Sequence, residues 1–87
     1  MAAIASSAPS PEQAAEREQL RQGIRRAIRA LSPKLRDALL LAQAGDYSYE
    51  EIGAMVRAPI GTIKWRVSEA RRVVRKHLKE HGYGDVG

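Results

Sequence analysis

The stretch SYEEIGAMVRAPIGTIKWRVSEARRVVRKH, residues 48–77, reads as a short helix, a tight turn and a long helix. Ser48-Tyr49-Glu50-Glu51 is a capping-box pattern: the Ser48 hydroxyl caps the first turn while Glu51 reaches back to the backbone. The short helix carries Ile52, Gly53, Met55 and Val56, and Arg57-Ala58-Pro59 breaks it. A long helix then starts at Pro59 or Ile60 and runs to near His81, before Gly82. Gly53 lies mid-helix, where glycine costs ~1 kcal/mol relative to alanine. Close helix–helix approach, as a helix-turn-helix crossing demands, is one explanation. A tolerated glycine without a special role is the other.

The long helix sorts its residues by face. At about 100° per residue, Ile60, Ile63, Val67, Ala70 and Val74 fall on one stripe, and Leu78 comes close to continuing it. The opposite face presents Trp65, Ser68, Glu69, Arg72, Lys76 and Lys79. Lys64, Arg71 and Arg75 lie along one flank, with Thr62 and Arg66 along the other. Hydrogen-bonding groups therefore stand near the N-terminal end and positive charge further along. That order suits duplex DNA, where the start of such a helix reads base edges and flanking Lys and Arg meet phosphates. A basic run alone fits an ordinary solvated face as well as a DNA-binding one; its coupling to the helix-turn-helix pattern favours DNA.

Two more helices are expected upstream. The first runs from about Pro11 to Leu31, with Leu20, Ile24, Ile28 and Leu31 at helical spacing and Arg17, Arg21, Arg25 and Arg29 on another face. Glu12, Glu16 and Glu18 near its start complement the helix dipole. Ser32-Pro33 reads as an N-cap with proline in the first turn, and Gly45 as the stop of a second helix that turns Leu35, Leu39 and Ala42 inward. No strand is convincing. The expected fold is all-α, a four-helix domain with a helix-turn-helix. Its core includes Leu20, Ile24, Ile28, Leu31, Leu35, Leu39, Ile52, Val56, Ile60, Ile63, Val67 and Val74. Residues 1–15, which include the small and polar MAAIASSAPS, are expected to form a flexible tail or linker, 16–82 the domain, and 83–87 a frayed end.

Composition agrees. The chain's 87 residues allow one small domain. Aromatics are only 5% and Phe is absent, so a core must come from aliphatic side chains, which suits helices better than sheets. Fifteen Lys and Arg against ten Asp and Glu leave a net charge of +5, which favours an anionic partner. Cysteine is absent, which removes disulfides and Cys-ligated zinc. No apolar run approaches the ~20 residues of a membrane span, and the N-terminus lacks the pattern of a signal peptide. Neither a membrane partner nor a cofactor is expected, and a cytoplasmic location is.

Enzymatic chemistry is not expected either. His77 and His81 are spaced i, i+4, but the segment His77-Leu78-Lys79-Glu80-His81 is not HExxH, and no third metal ligand suggests itself. Solvated histidines at a helix C-terminus account for them. Glu50 and Glu51 point in different directions on a helix and serve as cap and surface residues. No Gly-rich phosphate loop and no nucleophile–base pair is visible.

Three segments carry a family resemblance. Ala30-Leu31-Ser32-Pro33-Lys34-Leu35-Arg36-Asp37-Ala38-Leu39-Leu40-Leu41 resembles the LxPxxRxxxxL opening of region 4 of bacterial sigma factors. Asp46-Tyr47-Ser48-Tyr49-Glu50-Glu51-Ile52-Gly53 resembles its GxSYxEIA helix. Pro59-Ile60-Gly61-Thr62-Ile63-Lys64-Trp65-Arg66-Val67, with Ala70-Arg71 beyond, is similar to the PxGTVKSRxxRAR recognition helix of the extracytoplasmic-function group. The resemblance covers roughly Glu16 to Leu78. It implies a domain that reads the promoter −35 element, docks on the β-subunit flap of RNA polymerase core and is often masked by an anti-sigma factor. It further implies Trp65, Ser68 and Glu69 at base-facing positions, Thr62, Lys64 and Arg66 at backbone-contacting ones, and Arg71 as a further contact; Arg72 joins them as a basic residue of the same face. Trp65 stands where serine is usual and Glu69 where a basic or polar residue is usual. Trp65 suits a thymine methyl or a sugar, and Glu69 suits a cytosine amino group while repelling phosphate. Either also suits a protein partner.

Two rival readings stay open on the sequence. A LuxR-type response-regulator output domain is also four-helical and carries a comparable EIA…TVK run. A region-4-like interaction module would bind polymerase or an anti-sigma factor without reading DNA. The −10-reading domain that complete sigma factors of this group carry is not among these residues, so the chain alone is not expected to start transcription.

Overall fold

The computed structural model describes residues 10–82, four helices in the order α1 (Pro11–Arg29), α2 (Pro33–Ala44), α3 (Tyr49–Val56) and α4 (Ile60–Glu80). Residues 1–9 and the frayed end expected at 83–87 lie outside the described residues. The expected tail boundary at residue 15 falls within α1, which begins at Pro11. Ser10 sets that start by a capping box: its Oγ accepts from the Gln13 N–H at 3.2 Å, and Gln13 Oε1 accepts from the Ser10 N–H at 3.1 Å.

Local chemistry fixes the remaining ends. α1 stops at Arg29, two residues earlier than the apolar spacing indicates, although Leu31 beyond it is still buried. Ser32 occupies the N-cap of α2, but its hydroxyl makes no capping bond, which corrects the expected side-chain cap. What joins α1 to α2 instead is the Arg36 guanidinium, which donates to the Arg29 carbonyl at 3.2 Å. Gly45 ends α2 with φ 77°, the left-handed conformation that glycine adopts without a Cβ penalty. The capping box of α3 forms as read, with Ser48 Oγ accepting from the Glu51 N–H at 3.0 Å and Glu51 Oε1 from the Ser48 N–H at 2.8 Å.

α4 is the central element; α1, α2 and α3 all pack on it. Two apolar clusters hold it. Ile63 and Val67 pack with Ala38 and Ile52, flanked by Leu41, Ala42, Tyr49, Val56 and Ala58. Ala70 packs with Leu31 and Leu39, flanked by Ile28, Leu35, Val73 and Val74. The stripe read from the sequence is therefore the buried face of α4, and Leu78 continues it in fact.

Two corrections concern size. Gly23, Ala27, Ala38 and Ala70 are buried, whereas Leu20, Ile24, Ile28, Leu35, Val56 and Val74 are only half-buried. Where helix axes approach most closely only small side chains fit, and the larger ones spread to the edges of the contact. Ile60, expected in the core, is 41% exposed. It is the first residue of α4, one turn ahead of Ile63, where the buried stripe begins.

Candidate nucleic-acid interface

The turn between α3 and α4 sets the aim of α4. Arg57 ends α3 in the left-handed region, φ 57° and ψ 52°, and its N–H closes on the Gly53 carbonyl. The Ala58 N–H returns to the same carbonyl at 2.9 Å. Folding back this tightly brings the Ala58 carbonyl against Gly53. A Cβ at position 53 would lie 2.5 Å from that oxygen and 3.6 Å from Ile63 Cγ1. The glycine thus has a steric reason, but what approaches it most closely is the backbone of the turn rather than the partner helix.

With Ile63, Val67 and Ala70 buried, the outward face of α4 follows by helix geometry. Trp65 is 62% exposed, and Ser68 and Arg72 are exposed beside it. Glu69 belongs to the same face but is not free: Arg72 donates to both its carboxylate oxygens, from Nε at 2.9 Å and from an Nη at 2.6 Å. These hydrogen bonds, opposed by desolvation and assisted by the guanidinium charge, hold the Glu69 carboxyl below its ordinary range. Two residues singled out separately are therefore one bidentate, charge-balanced unit.

The flanks differ from each other. Thr62 and Arg66 are half-buried and lean toward α2, where Ser32, Lys34, Leu35, Thr62, Trp65, Arg66 and Glu69 line an open groove of about 360 Å³. Lys64 is exposed on the other flank. Arg71 and Arg75 border an apolar groove of about 260 Å³ lined by α1, α2 and α4 side chains including Ile24, Leu39 and Val74. The structure therefore gathers Thr62, Trp65, Arg66, Ser68, Glu69 and Arg72 on one side, and sets Lys64 and Arg71 apart. Lys34 and Arg57, which the sequence reading did not single out, flank the gathered group across a second groove of about 410 Å³ that also holds Arg66. Only the fold reveals them, because they come from two other elements. His77 and His81 stack, ring centroids 4.1 Å apart, with the His81 Nδ1 donating to the His77 carbonyl at 2.8 Å. Among the described residues no three His, Cys, Asp or Glu side chains are placed to hold a metal, and no helix is long and apolar enough to cross a membrane.

A solvent-facing stripe on a helix delivered by a capped α3 and a tight turn is the arrangement of a helix-turn-helix reader. A family model described as Sigma-70, region 4, matches residues 21–74, which take in the end of α1, all of α2 and α3, α4 as far as Val74, and the whole gathered face. The chain belongs to the sigma-70 region 4 family. Its curated relatives agree. The chain is 34% identical over 73 residues to the ECF RNA polymerase sigma factor SigE of Mycolicibacterium smegmatis, covering 84% of this chain and 28% of the relative. It is 34% identical over 70 residues to the RNA polymerase sigma-H factor of Pseudomonas aeruginosa, 80% of this chain and 36% of that protein. It is 38% identical over 65 residues to the ECF RNA polymerase sigma-E factor of Escherichia coli, 75% of this chain and 34% of that one. This region 4 domain therefore spans about a third of the length of the relatives it matches. Membership supports a promoter-recognition domain and favours it over a LuxR-type output domain.

Proposed function

We propose that this region 4 domain reads the −35 element of a bacterial promoter as part of a cytoplasmic sigma factor. The observation that carries the reading is the outward face of Trp65, Ser68 and the Glu69–Arg72 pair on a helix whose opposite side is buried at Ile63, Val67, Ala70 and Leu78. In this reading Ser68, Trp65 and the Glu69–Arg72 pair meet base edges in the major groove. Thr62, Lys64, Arg66 and Arg71 meet the sugar–phosphate backbone. Glu69 held by Arg72 keeps acceptor capacity for a cytosine amino group, while the neighbouring guanidinium offsets its repulsion of phosphate. No cofactor takes part and no bond is made or broken.

Polymerase core is the second partner, through its β-subunit flap, and an anti-sigma factor the third. Leu40, Tyr47 and Met55 support a protein partner: they are large apolar side chains left exposed on α2, the α2–α3 connection and α3. The test is selection of binding sites from randomised duplex DNA, with the domain free and tethered to polymerase core. A short enriched motif without inverted repeats is expected. Absence of any motif in both arms, with polymerase still bound, replaces this reading by that of an interaction module.

A further inference from the structure

Arg57 is the one described non-glycine residue with positive φ, at φ 57° and ψ 52°. For an L side chain this conformation costs roughly 1–2 kcal/mol, and arginine lacks the short polar side chain with which Asn and Asp relieve it. The turn needs that conformation, and glycine would supply it at lower cost. The turn's hydrogen bonds to the Gly53 carbonyl account for the backbone conformation, but they use only main-chain N–H groups and give no reason for an arginine side chain there. Arg57 is exposed, and among the described residues its guanidinium has no salt bridge and no hydrogen bond. An arginine kept where glycine would serve the turn at lower cost, its guanidinium unused inside the fold, points to a function outside it.

The surroundings say which. Arg57 lines the 410 Å³ groove with Lys34 from the start of α2 and Arg66 from α4, and Asp37 is the only carboxylate there. Lys34 and Arg66 are likewise without an ion pair among the described residues. Lys34 and Arg66 also line the neighbouring groove that holds Trp65 and Glu69, so the cationic group adjoins the reading face directly. It lies on the Arg66 flank of α4, away from Lys64, as a helix in the major groove requires if both bordering strands are to be held.

We propose that Arg57, with Lys34 and Arg66, forms a backbone clamp that grips phosphodiester oxygens of the DNA strand on that flank. This rests on the DNA-reading function above. The clamp is sequence-independent: it fixes register and leaves base choice to Trp65, Ser68 and the Glu69–Arg72 pair.

The experiment uses the 87-residue chain and a fluorescein-labelled mixed-sequence duplex, titrated by anisotropy across a range of KCl concentrations, beside thermal unfolding. Arg57→Gly should unfold at the same or a higher temperature and yet bind on the order of tenfold more weakly at low salt. Its log–log salt slope should fall by about one, the share of a single phosphate contact. Arg57→Lys should keep most of the slope, and Asp37→Asn should tighten binding. If Arg57→Gly binds with unchanged affinity and slope, or unfolds at a clearly lower temperature, Arg57 is structural and the clamp is overturned. If the unaltered chain binds no duplex, free or tethered to polymerase core, the DNA-reading function itself fails and takes the clamp with it.

Discussion

Arg72 closes on both carboxylate oxygens of Glu69, one turn back on α4, at 2.9 and 2.6 Å. The carboxylate sits with its side chain 25% exposed, and the guanidinium, at 57%, faces solvent. Glu69 therefore does not present a bare negative charge to DNA. Arg72→Ala should weaken binding to every duplex by more than the removal of one distant cation, because it also uncovers Glu69. Glu69→Gln should keep affinity and alter base preference, which binding-site selection on the two variants would separate.

The same pair predicts pH behaviour. Glu69 is held below its ordinary value by the Arg72 hydrogen bonds, so the stabilisation it gives is present above the usual carboxylate range and is lost as pH falls through the lowered value. Between pH 6 and 8 the pair should not titrate. Carboxyl carbon shifts followed by NMR should place the Glu69 midpoint below the ordinary glutamate range, and Arg72→Ala should move it upward.

Trp65 is the single tryptophan and is 62% exposed. Tryptophan emission, excited at the red edge where the three tyrosines do not absorb, thus reports on the proposed reading face. Binding of a −35-containing duplex should quench it or shift it to the blue, whereas a ligand on α1 should leave it unchanged. Trp65→Ala should change stability by no more than about 0.5 kcal/mol, as befits a surface position, while site preference is lost. A large fall in melting temperature would show that Trp65 serves packing.

Gly53→Ala is expected to destabilise the domain even though alanine is the better helix former. Its Cβ would stand 2.5 Å from the Ala58 carbonyl oxygen, which is backbone and cannot swing aside. Overpacking of this kind costs about 1–3 kcal/mol, more than the ~1 kcal/mol gained in propensity. Urea unfolding measures the difference, and a more stable variant would disprove the tight return of the turn.

Lys64→Ala and Arg71→Ala should behave differently. Lys64 is exposed, so its removal should weaken binding to all duplexes and lower the salt slope while leaving stability unchanged. Arg71 borders the apolar groove of Ile24, Leu39 and Val74, and its aliphatic stem covers part of it. Its removal should therefore also lower the denaturation midpoint. Equal stability of the two variants would count against that packing role.

The fold was legible because its signals are local. Ser48 with Glu51, Gly45, and the breaks at Ser32-Pro33 and Ala58-Pro59 each act within a few residues, and the stripe Ile63–Val67–Ala70 repeats at one period. What periodicity does not carry is how closely two helices approach. Ala27 and Ala38, absent from the expected core, are among the most buried residues, while Ile60 looks apolar and in phase but lies beyond the contact. The site divided in the same way. Trp65, Ser68 and Glu69 were visible as a face of one helix, but the bidentate hold of Arg72 depends on side-chain conformations. Arg57 and Lys34 join Arg66 only once three elements are folded together.

The closed turn at Gly53 and Ala58 has one more consequence. Because α3 and α4 share a turn with no slack, the angle at which α4 leaves α3 is set before any DNA arrives. Little ordering entropy is then left for the moment of encounter, so association should be governed by electrostatic approach rather than by rearrangement. On the proposed DNA-reading function, selectivity then changes by exchanging side chains on α4, and one rigid scaffold would serve different promoters according to which residues stand at 65, 68, 69 and 72.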